Sequence, residues 1–171
     1  MQQIGKSVWE FIAQAVFLVL KVLYKGIGKD LTNETVSAFL QFVKFGIVGV
    51  SNTVISYVLY MTSLLAFRSA GWLTGADYLA AQVISFVLSV LWSFYWNNKM
   101  VFRPQEGKKR SLWKALLKTY VSYSFTGLFL NTLLLYLLVQ VLHISEFIAP
   151  VFNLVINVPI NFLINKFWAF K

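Results

Sequence analysis

The chain contains no cysteine, which excludes disulfides, thiolate metal sites and a cysteine nucleophile. Acidic residues are scarce too. The six that occur, Glu10, Asp30, Glu34, Asp77, Glu106 and Glu146, all fall outside the four long apolar stretches, so an ion-coupled pump would lack its buried carboxylate relay. The single histidine, His143, stands beside Ser145 and Glu146 between two apolar stretches and reads as a surface residue. No cluster of metal-ligand spacing and no phosphate-cradling glycine loop occurs in the sequence. Hydrolysis, ATP-driven work and metal chemistry are therefore not expected, and the chain reads as a non-enzyme without cofactor. Charge of either sign is thin, at 12% of 171 residues against about 25% in a soluble domain.

What abounds is apolar. Hydrophobic residues make up 58% of the chain and gather in residues 42–67, 79–96, 116–142 and 147–164, each near the ~20 residues that cross a ~30 Å hydrocarbon core. Backbone in lipid must satisfy its own hydrogen bonds, so the expected fold is an all-α membrane protein with four transmembrane helices. Residues 7–25 are also apolar but carry a narrow polar stripe of Gln3, Ser7, Glu10, Gln14, Lys21 and Lys25. Spanning would drive Glu10 and Gln14 into the core, so residues 1–34 read as an N-terminal amphipathic interfacial helix and its turn. This segment starts too near Met1, and lacks the basic n-region and small-residue cleavage site, to read as a secretory signal.

The net charge of +9 is unevenly placed. Fourteen of the fifteen Lys and Arg residues lie before or at the start of the first span, between the second and third or at the start of the third, or beyond the fourth, with Arg68 the exception. Positive-inside bias then puts both termini and the loop from Lys99 to Lys118 in the cytoplasm, for a multi-pass protein of the cytoplasmic membrane. Lys108, Lys109 and Arg110 should face anionic headgroups, at about 1 kcal/mol each. That loop is too short for a soluble basic module, so no nucleic acid partner is expected.

Asn153, Asn157, Asn161 and Asn165 recur every four residues, which places them close to one face of a helix. Sixty-eight residues earlier, Ser85, Ser89, Ser93 and Asn97 trace the same seam. The same offset pairs Ala81 with Ala149, Phe94 with Phe162 and Phe102 with Phe170, while an offset of 79 pairs Asn52-Thr53 with Asn131-Thr132 and Tyr57 with Tyr136. A four-span domain of residues 35–171 thus reads as two parallel-repeat hairpins, residues 42–103 and 116–171, with the seams expected to meet between the copies.

Two readings of the seams stay open. Buried amides and hydroxyls glue membrane helices at about 0.6 kcal/mol per contact. Alternatively, Asn52, Ser85, Ser89, Ser93, Asn131, Asn153, Asn157 and Asn161 form a path for a polar, uncharged cargo such as a sugar. Lys44, Asn97, Asn98, Lys99, Lys118, Asn165 and Lys166 gather at the cytoplasmic ends, as snorkelling anchors or as a phosphate clamp. Trp92, Trp96, Trp168, Phe102 and Phe170 read as an interfacial belt. Gly49 and Gly127, close to Asn52 and Asn131, suggest tight helix packing or close approach of a ligand.

The run Lys44-Phe45-Gly46-Ile47-Val48-Gly49-Val50-Ser51-Asn52-Thr53 resembles the opening signature of the GtrA-like family of small four-span membrane proteins. The run Asn161-Phe162-Leu163-Ile164-Asn165-Lys166-Phe167-Trp168-Ala169-Phe170 resembles that family's closing box. The first copy departs from the box, with Ser93 for the leading asparagine, Asn98 before Lys99, and Met100 for tryptophan. The resemblance implies flipping of a polyprenyl-phosphate-linked monosaccharide across the cytoplasmic membrane for cell-surface polysaccharide or teichoic-acid glycosylation. Its alternative is a non-transporting accessory subunit of a membrane polyprenyl-phosphate glycosyltransferase. The partners implied are that sugar lipid, the membrane and a glycosyltransferase, and the architecture leaves room for a homo-oligomer.

Overall fold

The computed structural model describes residues 2–104, 110–145 and 147–171, with side chains from Ser7 onward. Glu106, Lys108, Lys109 and Glu146 lie outside the described residues. Helix is the only regular structure among those described. We label α1 (Gln2–Gly26), α2 (Asn33–Ala70), α3 (Asp77–Val101), α4 (Leu112–Val141) and α5 (Ala149–Ala169). All five are long and apolar enough to cross a membrane, and the chain is a multi-pass membrane protein.

The chain divides into two compact units, residues 1–44 and 45–171. In the first, the Lys44 ammonium lies over the Trp9 ring at 4.6 Å. Ala13, Phe17 and Leu18 of α1 face Val36 and Leu40 of α2 across an apolar groove of about 470 Å³. The stripe residues Glu10, Gln14, Lys21 and Lys25 are exposed. Helix α2 starts well before the apolar stretch at residue 42, because its first turn is locally favoured. Thr32 Oγ1 accepts the Thr35 N–H at 3.2 Å, and Glu34 complements the positive end of the helix dipole. At 1.5 Å per residue its 38 residues reach about 57 Å, so α2 overshoots a ~30 Å core.

In the second unit, the turn from α2 to α3 closes through Gly71, whose φ of 66° lets the Trp72 N–H reach back to Phe67 O at 2.9 Å. An Arg68–Asp77 ion pair at 2.9 Å bridges the same turn. Helices α3 and α5 both end in five-residue π-helical segments, Asn97–Val101 and Asn165–Ala169, at the positions that the offset of 68 pairs. The Phe102 N–H reaches Asn97 O at 2.7 Å and the Phe170 N–H reaches Asn165 O at 2.9 Å. Helix α4 widens twice, at Phe125–Leu130 and Leu137–Val141. Such widening shifts carbonyls out of the regular ladder. The α5 asparagines meet two carbonyls of this stretch: Asn157 Nδ2 donates to Thr126 O at 3.1 Å, and Asn153 Nδ2 to Asn131 O at 3.3 Å and to its Oδ1 at 2.7 Å.

Phe102 and Phe170 are only 5% and 6% exposed, so they belong to the core and not to an interfacial belt. Their rings stack at 4.7 Å, flanked by Phe102–Phe162 at 5.8 Å and Phe94–Phe170 at 5.6 Å. Each such pair is worth about 0.5–1.5 kcal/mol beyond its area. At this end the halves are joined by these rings together with the Tyr123 hydroxyl, which pairs with Ser93 and receives Asn97. The hydrogen bonds of the two seams run elsewhere: Ser85 goes to Ser56 on α2, Ser93 goes to Tyr123 on α4, and the α5 amides go to α4. Among the described residues no hydrogen bond joins one seam to the other, because hydroxyls and carbonyls of α2 and α4 take those bonds, while Ser89 and Asn161 face a common space.

Candidate functional site

Helices α2, α3, α4 and α5 surround a cavity of about 670 Å³. Its wall includes Gly46, Gly49 and Gly127, and a Cβ built on any of these glycines meets nothing within 4 Å. Tight helix packing therefore does not explain them. They leave space that a side chain would fill.

Three of the eight residues read as a sugar path, Asn52, Ser89 and Asn161, line this cavity, beside Ser56, Tyr123 and Thr126. The others are held in the bundle. Ser85 Oγ donates to Ser56 O at 2.6 Å, Ser93 pairs with the Tyr123 hydroxyl at 2.6 Å, and Asn131 receives Asn153. Asn157 spends its nitrogen on Thr126 O. Because Asn153, Asn157 and Asn165 each donate to a backbone carbonyl, which can only accept, their amide orientation follows from chemistry. The end left without a partner is the oxygen, and the same holds for Asn52. Of these four, Asn52 borders the cavity and offers an acceptor there, whereas Asn161 has its oxygen taken by Asn165 and Ser122 and offers its Nδ2 donors, a pair that suits a hydroxyl.

Tyr123 was not singled out from the sequence, yet its hydroxyl also receives Asn97 Nδ2 at 3.3 Å and links α3 to α4. The face it neighbours was visible as Thr119, Ser122 and Thr126, all buried and spaced by three and four. Tyr123→Phe should lower stability by about 1 kcal/mol, since Ser93 and Asn97 both lose a buried partner; thermal melting in detergent reads this.

The basic residues take separate places. Lys44 belongs to the N-terminal unit. Lys99 Nζ donates to the Tyr95 hydroxyl at 3.1 Å, Lys118 Nζ donates to Trp168 O at 3.0 Å, and Lys166 lies over the Phe162 ring at 5.5 Å. Asn97 and Asn165 are fully buried at the start of the π-helical ends. Arg110 corrects an expectation: it turns inward, toward Asn98 Oδ1, Phe102 O and Phe170 O, because the ends of α3 and α5 offer it carbonyls that lack a helical donor. Burial lowers its pKa, though a guanidinium stays charged at neutral pH. Among the described residues no group of His, Asp or Glu could hold a metal ion.

A family model described as GtrA/DPMS, transmembrane domain, matches residues 44–170. The chain belongs to this family. The GtrA/DPMS match leaves α1 outside it. Among curated proteins the chain is similar to the cell wall teichoic acid glycosylation protein GtcA of Listeria monocytogenes serovar 1/2a strain EGD-e. The two are 26% identical over 114 residues, covering 65% of this chain and 76% of that one. A second GtcA from Listeria monocytogenes is 23% identical over 143 residues, covering 82% and 88%. No solved structure matches the chain.

Proposed function

We propose that this GtrA/DPMS-type chain flips a polyprenyl-phosphate-linked monosaccharide across the cytoplasmic membrane for glycosylation of a cell-surface polysaccharide or teichoic acid. The observation that carries this reading is the cavity. Its volume of about 670 Å³ lies within the ~300–1,000 Å³ usual for small-molecule sites, and its lining has hydroxyls and amides but no charged side chain. The cargo class comes from the relatives, whose printed names concern teichoic acid glycosylation.

The division of labour follows from chemistry. Sugar hydroxyls donate to Asn52 and Ser89 and accept from the Asn161 amide nitrogen, the phosphate stays with Asn98, Lys99, Lys118 and Lys166 at the helix ends, and the prenyl tail remains in lipid. Buried Asn97 and Asn165 shape the helix ends. Both termini are cytoplasmic, α1 lies in the interface, and four helices span. With no ATP site or buried carboxylate in the sequence, movement is passive or is drawn by consumption on the far face, and the chain performs no catalysis.

The test is purified protein in vesicles carrying a labelled polyprenyl-phosphate glucose, with transbilayer movement followed by time-resolved oxidation of the exposed sugar. We expect accelerated movement, and a loss of about tenfold in Asn52→Leu/Ser89→Ala, from two forfeited hydrogen bonds at about 0.5–1.5 kcal/mol each. Absence of acceleration with any such lipid, together with a co-purifying glycosyltransferase that loses sugar transfer on deletion, would instead support an accessory subunit.

A further inference from the structure

Aromatic rings stand at one end of the cavity. Phe45 lines the cavity and packs on Phe102 and Phe162, with centroids at 6.0 and 5.5 Å, and behind them Phe102 stacks on Phe170. Phe102 and Phe170 directly follow the π-helical ends of α3 and α5, and a single side chain takes both of their carbonyls. Arg110 Nη1 donates to Phe170 O at 2.5 Å, and Nη2 donates to Phe102 O at 3.0 Å and to Asn98 Oδ1. The guanidinium also covers the Phe170 ring at 4.9 Å. Its Nε–H is buried without a partner among the described residues.

We propose that Arg110 latches this aromatic plug beneath the cavity, and that a phosphate headgroup opens it by drawing the guanidinium off the Phe102 and Phe170 carbonyls. The two carbonyls are neutral acceptors. A phosphate oxygen bonds a guanidinium roughly twice as strongly, and prefers the paired N–H edge of the fork. The buried, unpartnered Nε–H gains a partner on the anion once the guanidinium turns outward, which favours that state further. Once Arg110 swings to the anion, the ends of α3 and α5 lose their common tie, and only ring stacking keeps the plug shut. Headgroup binding and cavity opening become one event, so the passage stays closed in the absence of cargo.

This inference rests on the cavity being the passage, and its test reads access to the cavity instead of lipid movement, so either reading can fail alone. The absence of native cysteine makes a thiol reporter clean, and Gly49→Cys places one in the cavity wall where nothing lies within 4 Å. The protein is reconstituted in phosphatidylcholine vesicles and labelled with an impermeant maleimide from the side bearing the α3–α4 loop. Labelling should be slow with Arg110 present and about tenfold faster in Arg110→Ala, which forfeits the charge-assisted bonds that hold the plug. Decaprenyl phosphate should speed labelling of the Arg110 protein and leave Arg110→Ala unchanged, whereas decaprenol, which lacks the phosphate, should do nothing. Arg110→Met keeps a long stem but has no donor for either carbonyl and no charge for a phosphate, and it supplies the same comparison should the alanine variant not fold. A rate indifferent to these substitutions overturns the latch, and one indifferent to decaprenyl phosphate, or equally raised by decaprenol, overturns its trigger.

Discussion

Gly49→Leu together with Gly127→Leu is expected to stop lipid-sugar movement while leaving the protein at least as stable as before. Both glycines sit in the cavity wall, and a Cβ at either site meets nothing within 4 Å, so larger side chains enter empty space without displacing a neighbour. Glycine inside a helix costs about 0.5–1 kcal/mol relative to alanine, and leucine is nearly as good a helix former. Stability should therefore hold or rise. A cargo forced past the added atoms faces overpacking of about 3 kcal/mol, equivalent to a fall of about a hundredfold in rate. Transbilayer movement in vesicles and melting in detergent, measured on one preparation, separate these effects. Movement at the native rate would show that the cargo does not use this space.

Asn165→Leu should act in the opposite sense, lowering stability by about 2–6 kcal/mol. Its Nδ2 donates to Asn161 O at 2.8 Å, Asn161 Oδ1 at 2.9 Å and Ser122 Oγ at 3.1 Å, and the residue is completely buried. Leucine strands these groups, at about 1–3 kcal/mol, and its different shape costs about 1–3 kcal/mol more in a filled site. Reversible unfolding in mixed micelles reads the loss. Asn52→Leu serves as the contrast: its amide oxygen has no partner in the bundle and it borders the cavity, so its stability should stay within about 0.5 kcal/mol of the native protein. A large loss in Asn165→Leu beside a small one in Asn52→Leu divides the amides into those that hold helices and those that face open space.

That division marks how far residue spacing reaches. The four-residue spacing of the α5 asparagines placed them on one face of a helix, because helical periodicity is local. Spacing carried no signal of whether the facing surface is another helix or a void. Asn153 and Asn161 look alike in the sequence, yet one is spent on Asn131 and the other lines the cavity. Gly49 and Gly127 follow the same logic, since a small residue marks both a tight contact and an open wall, and only the distance to the neighbouring helix tells them apart. Arg110 sat in a basic run suited to headgroups, but its partner Phe170 O lies 60 residues away. Thr119, Ser122 and Thr126 on α4 were legible at helical spacing and went unread beside the stronger asparagine signal.

The amino-acid sequence by itself determined that this is a helical membrane protein poor in buried carboxylates, with two matched rows of uncharged polar groups. Those properties follow from hydropathy, charge placement and period, each settled within one or two helical turns. Tertiary structure alone decided which of those groups are consumed by neighbours, that glycines border an unfilled space, and that a loop arginine ties two helix ends together. These depend on how far apart helices stand and on contacts between residues distant along the chain, quantities to which local patterning is blind.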